Sequence, residues 1–412
     1  MISYQQFTLS NGLQVIVHED ASTTLAVMDV IYDVGSRDED PERTGFAHLF
    51  EHLMFGGSVN IPNYDAPLQS VGGENNAFTT PDLTNYYISL PYQNLETAFW
   101  LESDRMLSLA FNPQSLEVQR KVVIEEFKQR YLNQPYGDVW LKFRPLIYQQ
   151  HPYRWATIGK EIKHIEEATL EDVKAFFQKH YVPSNAILVV AGKVDFEEVK
   201  TLAEKWFGPI PAGVKPVRNL PVEPVQDENR RMEIKADVPS NRLYIAYPVV
   251  GRYAPGYHAI DLLSDLLGRN ESSYLYNALV QDQRIFDSLH ASLTGSMDPG
   301  LLVVSGQVCE GVDVADAEKL LLDAIQDFVK KGIDEEGLQR VKNQAEASLV
   351  FGEVEVLNRA MNLAMAANAG NVDFVNTEAA HIAAVELKEI QDWANKLFLQ
   401  GKKNTLLYLK QG

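Results

Sequence analysis

The sequence has few groups that form covalent cross-links or cross a bilayer. Its one cysteine, Cys309, excludes an intramolecular disulfide and a metal site built from cysteines. No uninterrupted apolar run approaches the roughly 18 residues that a membrane-spanning helix needs. The first residues, Met1–Gln6, contain neither a basic nor an apolar segment. We therefore expect a cytoplasmic protein, or a periplasmic one if a signal peptide has been removed.

Basic residues are also scarce. The chain of 412 residues has 37 lysines and arginines against 56 aspartates and glutamates, which gives a net charge of −19. Nucleic acids and anionic membrane surfaces attract proteins through clustered lysines and arginines. The charge balance therefore disfavours both as partners.

Apolar residues, in contrast, are abundant and periodic. They make up 45% of a chain whose length exceeds one hydrophobic core, so we expect two globular domains of roughly 200 residues each. Alternation of apolar and polar residues predicts strands over 7–9, 13–18, 26–32, 76–90 and 186–194, with a hairpin turn at Asn11-Gly12. Helical spacing predicts helices over 44–55, 92–108, 113–133 and 195–207.

A proline-rich segment then separates two similar successions of elements. Its prolines are Pro209, Pro211, Pro216, Pro221 and Pro224. After it, the order restarts with strand 241–250, helix 255–267, a strand pair over 288–307 and a closing strand at 405–410. We predict an α+β fold of two duplicated αβ domains, each an antiparallel-rich sheet flanked by helices. The predicted boundaries are 1–208, a linker at 209–229, and 230–412.

The helix predicted over 44–55 carries His48, Glu51 and His52 in the pattern His-x-x-Glu-His. Residues four apart share one face of a helix, so both imidazoles can reach one ion. Glu51 lies at the edge of that face, where it can reach a water on the ion without ligating the ion. Two neutral ring nitrogens suit zinc, and a third ligand would leave one position open, as in a catalytic site. The order is the inverted form of the zincin motif.

The second half cannot repeat this metal site. Laying Gly45-Phe46 on Gly256-Tyr257 places apolar residues, namely Ala259, Leu262 and Leu263, at the positions of the three motif residues. His258 falls one position too early and has no partner at helical spacing, so we interpret it as a surface or packing histidine. The second domain is predicted to be free of metal.

Several segments together resemble the pitrilysin and insulinase family of inverzincin zinc metallopeptidases, in particular its single-chain bacterial and processing-peptidase-type members. These segments are 45–55, Gly72-Gly73 with 76–79, 84–87 and 122–126. The resemblance implies two αβ domains that close like a clamshell over a peptide. It also implies one zinc ion per chain.

The resemblance further implies that a glutamate on a later helix is the third zinc ligand. Matching Val122–Glu126 to that helix assigns the ligand to Glu126. Glu125 is the alternative, but it neighbours Lys121 and Lys128 and is expected to face water, so we prefer Glu126. Gln119 stands where many members carry a supporting acidic residue.

The implied chemistry is zinc-dependent endopeptidase cleavage of peptides or unfolded polypeptides. Glu51 is the expected catalytic base, which takes a proton from the water that the metal activates. By the same resemblance, Asn76, Ala77, Phe78 and Thr79 form an edge to which substrate adds as an extra strand. Phe78 is equally consistent with a core residue, and Asn76 with a turn residue.

The pattern departs from the family in the second half. Active members bring an arginine and a tyrosine from that half to hold the substrate and the developing oxyanion, but the matching positions hold Val280 and Asp287. Arg284 lies nearby and is expected to face solvent. Three hypotheses remain: an endopeptidase that uses its own site, the zinc-bearing subunit of a heteromeric peptidase, and a non-enzymatic peptide-binding or scaffold homologue. Because family members commonly pair, we expect a homodimer or a heterodimer with a related chain.

Overall fold

The structure, a computed structural model, describes residues 1–411 as a mixture of helices and strands. The strands are β1 (Gln5–Thr8), β2 (Gln14–Glu19), β3 (Leu25–Tyr32), β4 (Glu74–Thr79), β5 (Thr84–Pro91), β6 (Ala186–Gly192), β7 (Arg230–Ala236), β8 (Arg242–Pro248), β9 (Phe286–Leu293), β10 (Leu301–Val308) and β11 (Asn404–Lys410).

Helices account for most of the remaining regular structure. They are α1 (Phe46–Leu53), α2 (Asp65–Ser70), α3 (Leu95–Ser108), α4 (Pro113–Phe127), α5 (Val139–Ile147), α6 (Ile162–Glu166), α7 (Leu170–His180), α8 (Phe196–Trp206), α9 (Tyr257–Gly268), α10 (Val314–Lys331), α11 (Glu335–Gly352), α12 (Val356–Asn368), α13 (Phe374–Ala384) and α14 (Leu387–Ala394). Within residues 1–411, none of these helices combines the length and the apolar character needed to cross a bilayer.

The first sheet has the strand order β1-β2-β6-β3-β5-β4. Strands β2 and β6 are parallel, and all other neighbours are antiparallel. The predicted hairpin at Asn11-Gly12 is confirmed, because β1 and β2 pair across a turn in which Gly12 has a φ of +89°. Strand β4 pairs with β5 and ends the sheet, so one of its edges carries no neighbouring strand of the described chain.

The second sheet repeats this topology. Its order is β7-β11-β8-β10-β9, with β7 and β11 parallel and the other neighbours antiparallel. Without β1, the strands of the first sheet correspond one by one, in chain order and in direction, to those of the second. The predicted duplication of one αβ fold is therefore confirmed.

The helices that follow the second strand of each repeat begin in the same way. Helix α1 starts after Gly45 and α9 starts after Gly256, and both glycines have a φ of +87°. A Cβ atom on Gly45 would lie 2.6 Å from the carbonyl oxygen of Ile158, so the position excludes a side chain as well as favouring glycine. The two glycines thus occupy equivalent places, as the alignment of Gly45-Phe46 with Gly256-Tyr257 predicts.

Two compact units divide the chain, and each is built from three segments. Unit 1 contains Met1–Arg130, His151–Pro221 and Phe351–Asn376, and unit 2 contains the remaining described residues. The predicted domains at 1–208 and 230–412 are continuous, so the units differ from them in two segments. Helix α12 packs on the sheet of unit 1, and α5 packs on the sheet of unit 2.

The core of unit 1 has one layer on each face of its sheet. On one face, Ile16, Val27, Ile31 and Val189 pack against α12. On the other face, α1 and α3 lie over the strands. In unit 2, helices α9, α10 and α14 contribute to a separate apolar cluster with β8, β9 and β10.

One predicted helix ends early, and one strand was not predicted. The helix predicted over 113–133 is α-helical only to Phe127, after which Lys128–Leu132 forms a π-helical turn. Strand β7 begins directly after the expected linker and was not predicted, because its alternate residues are charged and give no apolar pattern. Within the segment expected to be a linker, residues 211–227 form neither helix nor strand.

Asp29 is a carboxyl group buried in the middle of β3. Asn85 Nδ2 donates a hydrogen bond of 2.6 Å to its Oδ1, while its Oδ2 has no hydrogen-bond partner among the described residues. Burial raises the pKa of Asp29 to about 7, with the Asn85 hydrogen bond opposing the shift. Because the folded-state pKa is above the unfolded value, the contribution of Asp29 to stability is greatest at low pH and falls as pH rises from about 4 to about 7.

We therefore expect Asp29→Asn to stabilise unit 1 more above pH 7 than at pH 5, because only part of the loss between pH 4 and pH 7 has occurred at pH 5. The Oδ1 atom of Asn85 also lacks a partner in the described chain, so it can accept from the new amide. A gain of about 1 kcal/mol corresponds to roughly 2–4 °C in Tm for a unit of this size. Thermal unfolding at pH 5 and pH 8 measures the difference. An equal shift at both pH values would contradict the ionisation argument.

Candidate metal centre

Helix α1 presents the three motif residues on one side and packs with the other. Its apolar residues are buried, namely Phe46, Ala47, Leu49, Phe50 and Leu53. The side chains of His48 and His52 are 13% and 25% exposed. The helix is followed by a tight turn in which Gly57 has a φ of +88°. This division into a buried and an accessible face fits helical spacing of the apolar residues.

Helix α4 brings Glu126 to the two histidines. The distance from Glu126 Oε2 to His48 Nε2 is 3.6 Å, and the distance to His52 Nε2 is 3.4 Å. Ligand atoms about 2.1 Å from a shared tetrahedral zinc ion lie about 3.4 Å from one another. The predicted ligands His48, His52 and Glu126 therefore converge with the spacing of a metal site, and they are a group that can hold an ion.

The protonation states of these residues also suit a cation. Burial, together with the neighbouring His52, lowers the pKa of His48 to about 4, so its imidazole is neutral at pH 7. The hydrogen bond from His52 lowers the pKa of Glu126, which keeps this carboxylate ionised. Neutral imidazoles and an ionised carboxylate are the forms that bind zinc.

The two adjacent glutamates of α4 have different surroundings. The Glu125 side chain is 60% exposed and lies 2.7 Å from Lys128 Nζ, whereas Glu126 faces the histidines. Sequence reasoning preferred Glu126, and the side of the helix on which each residue lies agrees with that choice. The second Glu126 oxygen, Oε1, is 3.0 Å from Arg130 Nη1. Sequence reasoning missed Arg130, although a spacing of four residues was a signal for this ion pair.

Glu51 connects α1 to the edge strand. Thr79 Oγ1 donates a hydrogen bond of 2.5 Å to Glu51 Oε2. Burial raises the pKa of Glu51, and the hydrogen bond from Thr79 works in the opposite direction. The expected catalytic base is thus held beside the metal residues from the direction of β4. Thr79, expected to bind substrate, contacts the expected base.

The other residues expected to bind substrate divide between the faces of the sheet. In β4, Ala77 lies opposite Tyr86 and Thr79 lies opposite Thr84, so both are on the face that α1 covers. Asn76 and Phe78 are on the other face. Phe78 is half-buried and packs against the cluster beneath α12, while the side chain of Asn76 accepts a hydrogen bond from the backbone N–H of Ala77.

Unit 2 has no equivalent of this centre among its described residues. The residues that correspond to the motif, Ala259, Leu262 and Leu263, are buried in its apolar core. Its His258 lies near His381, with ring centroids 5.7 Å apart. Among residues 1–411, the group of convergent metal-binding side chains is the one formed in unit 1 by His48, His52 and Glu126.

Comparison with known proteins places the chain in a family of peptidases. Residues 14–142 match the model described as insulinase (peptidase family M16), and residues 167–345 match the model described as the peptidase M16 inactive domain. The zinc protease PqqE of Helicobacter pylori is 30% identical over 357 residues, which cover 84% of this chain and 79% of that protein. The chain belongs to peptidase family M16, the insulinase and pitrilysin family.

Solved structures share the fold over nearly the whole chain. A protease from Helicobacter pylori has a TM-score of 0.92 at 27% identity, covering 99% of this chain and 100% of the other. Pitrilysin has a TM-score of 0.80 at 18% identity, and the likeness covers 100% of this chain but 45% of pitrilysin. These similarities confirm the two-domain α+β fold, and the family models confirm the predicted family.

We expect Glu126→Gln to lose tight zinc binding, because an amide oxygen is a neutral and weaker ligand than a carboxylate. Glu125→Gln is the matched control, since it makes the same change one residue away on the exposed side. Zinc affinity, measured by competition with a chromophoric chelator, should fall at least about 10-fold in the first variant alone. Equal affinity in both variants would remove Glu126 from the ligand set.

Proposed function

We propose that the chain is a zinc-dependent endopeptidase that hydrolyses peptides or unfolded polypeptides. The observation that carries the proposal is the convergence of His48, His52 and Glu126 on one point, with the Glu51 carboxylate beside it. Such a set offers three ligands of the types zinc prefers, together with a base that need not ligate. The names of relatives such as the Helicobacter pylori zinc protease support it.

The residues divide the work of peptide hydrolysis among them. His48, His52 and Glu126 hold the metal. When bound, zinc lowers the pKa of a water molecule and polarises a carbonyl group. Glu51 takes a proton from the attacking water and holds it on its carboxylate until the leaving amine accepts it. Thr79 fixes the orientation of that carboxylate through its hydroxyl group.

Strand β4 gives the site a means of binding peptides whatever their sequence. One edge of β4 has no partner strand in the described chain, and β4 contacts the metal-bearing helix. An extended peptide can add to such an edge through main-chain hydrogen bonds. The proposed substrates are therefore chains that can adopt an extended conformation, namely peptides and unfolded polypeptides.

A second candidate function is that of the zinc-bearing subunit in a heteromeric peptidase. It is favoured by the two positions where the family resemblance implies an arginine and a tyrosine. Val280 packs against the apolar core of unit 2, and Asp287 accepts hydrogen bonds from Gln307 Nε2 and Cys309 Sγ. Neither side chain carries the guanidinium or phenol hydrogen-bond donors of the two residues that the resemblance implies. A related chain could supply those donors.

We expect Glu51→Gln to abolish cleavage and to leave zinc binding intact, because the variant loses the base but keeps all three ligands. The fall in kcat/KM on a fluorescence-quenched peptide should be at least about 100-fold. Metal content, measured by mass spectrometry, should remain near one zinc per chain. A parent chain that holds no zinc, or a variant that cleaves at the parental rate, would contradict the proposal.

The two candidate functions differ in what the purified chain does alone. As an independent endopeptidase it should cleave unfolded casein without any partner. As a subunit it should hold zinc but cleave only after addition of a related chain that carries the arginine and tyrosine. The same zinc-loaded preparation, assayed with and without that chain, separates them. A chain that binds peptides but neither holds zinc nor cleaves would support a scaffold instead.

A further inference from the structure

A short buried segment, Ser36–Glu39, contacts both parts of the site. It lies between β3 and α1 in the sequence, and it contacts both α1 and the turn that follows β4. Toward α1 it extends Glu39, and toward the turn that follows β4 it extends Arg37. Both residues are almost fully buried, with 7% and 4% of their surfaces exposed.

Glu39 binds the first turn of α1. Its Oε2 accepts from the backbone N–H of Gly45 at 2.9 Å, and its Oε1 accepts from that of Ala47 at 2.8 Å. Trp155 Nε1 also donates to Oε2, at 3.1 Å. The residue at the start of the helix is a glycine, which offers no side chain to satisfy these N–H groups. The carboxyl group of Glu39, which lies outside the helix, therefore takes the place of a capping side chain. One of the N–H groups that it binds belongs to Ala47, the residue before His48.

Arg37 holds the turn between β4 and β5. Its Nη1 lies 2.9 Å from Asp82 Oδ1, and its backbone N–H donates to the carbonyl of Pro81 at 3.0 Å. Ser36 N–H donates to the carbonyl of Thr80 at 3.2 Å. A Cβ atom on the preceding Gly35 would lie 2.4 Å from the Pro81 oxygen, so the two segments are in close backbone contact. Thr79, the donor to Glu51, directly precedes this turn.

We propose that the segment Ser36–Glu39 sets the position of the metal-bearing helix against strand β4, with Glu39 as the positioning residue for the two histidines and Arg37 as the positioning residue for β4. This rests on the proposed function, since it assumes that the helix binds zinc and that β4 binds the peptide. Errors of about 1 Å in such an arrangement cost on the order of 100-fold in rate, so a rigid connection between the two parts has a clear advantage.

The two residues are expected to act on different readouts. Glu39→Gln keeps the size of the side chain, but its NH₂ group then faces a backbone N–H that needs an acceptor, so the first turn of α1 shifts. Zinc affinity should fall about 10-fold or more, as it does when groups that support metal ligands are removed. The visible spectrum of the cobalt(II)-substituted chain should change as well. Arg37→Lys should leave both unchanged and lower kcat/KM at least about threefold.

Asp29→Asn is the matched control for Glu39→Gln. It converts another buried carboxylate of unit 1 to an amide, on the face of the sheet that α12 covers. It should keep the parental zinc affinity and cobalt spectrum. If Glu39→Gln does not fold, Trp155→Phe removes one donor to Glu39 and should give a smaller change of the same kind.

Each outcome decides between the ideas. If the parent chain binds no zinc, the proposed function fails, and this inference fails with it. If the parent binds zinc and cleaves peptides, but Glu39→Gln retains its zinc affinity and cobalt spectrum, the function stands and the positioning role is wrong. The positioning role is also wrong if Arg37→Lys weakens zinc binding as much as Glu39→Gln does, because the segment then acts through general stability.

Discussion

The accessible face of α1 depends on the aromatic packing beneath it. The centroid of the Phe50 ring lies 4.4 Å from the ring centroid of Tyr181 and 5.8 Å from that of Phe177, which is on α7. Tyr181 in turn lies 4.3 Å from Tyr32 of β3, and its hydroxyl group is 3.0 Å from that of Tyr86 in β5. Aromatic pairs of this kind contribute about 0.5–1.5 kcal/mol each beyond the area that they bury. A helix of only 8 residues is thus anchored to the sheet and to α7 at once.

The side chains of the candidate site that lie on helices were predicted in two different ways. His48, Glu51 and His52 follow from spacing within one helix, and Glu126 follows from the family resemblance and the polarity of its neighbours. The contacts of Glu39 with α1 and of Thr79 with Glu51 join segments that are separate in the sequence. Periodicity does not reveal such pairs, because in the sequence Glu39 and Thr79 look like any other polar residues.

The fold was predictable to a similar limit. Alternation located the strands, and the repeated order of elements revealed the duplication. The packing of α12 on the first sheet was not predictable, since a helix rich in alanine fits any apolar surface. The choice of surface is made by shape complementarity over the whole unit, which periodicity does not encode. For the same reason, periodicity predicts two continuous domains with boundaries at 208 and 230, whereas unit 1 includes Phe351–Asn376 and unit 2 includes Tyr131–Gln150.

The two repeats differ at the positions of the motif residues. In α9 the equivalent positions are filled by Ala259, Leu262 and Leu263, and this helix buries 10 of its 12 residues. A helix that is apolar on all of its faces buries more apolar surface in a core than a helix with one accessible face. Helix α9 therefore lies almost wholly in the core of unit 2, whereas α1 keeps one accessible face that carries the three motif residues.

The packing of α12 on the first sheet constrains the order in which the chain can fold during synthesis. Strand β6 completes the first sheet at Gly192, but the helix that covers its apolar face does not begin until Val356. Until that helix leaves the ribosome, Ile16, Val27, Ile31 and Val189 remain without their cover. The unit whose sheet is translated first is thus completed late. A nascent chain that stops after the proline-rich linker would expose this apolar face of the sheet to chaperones and to other copies of itself.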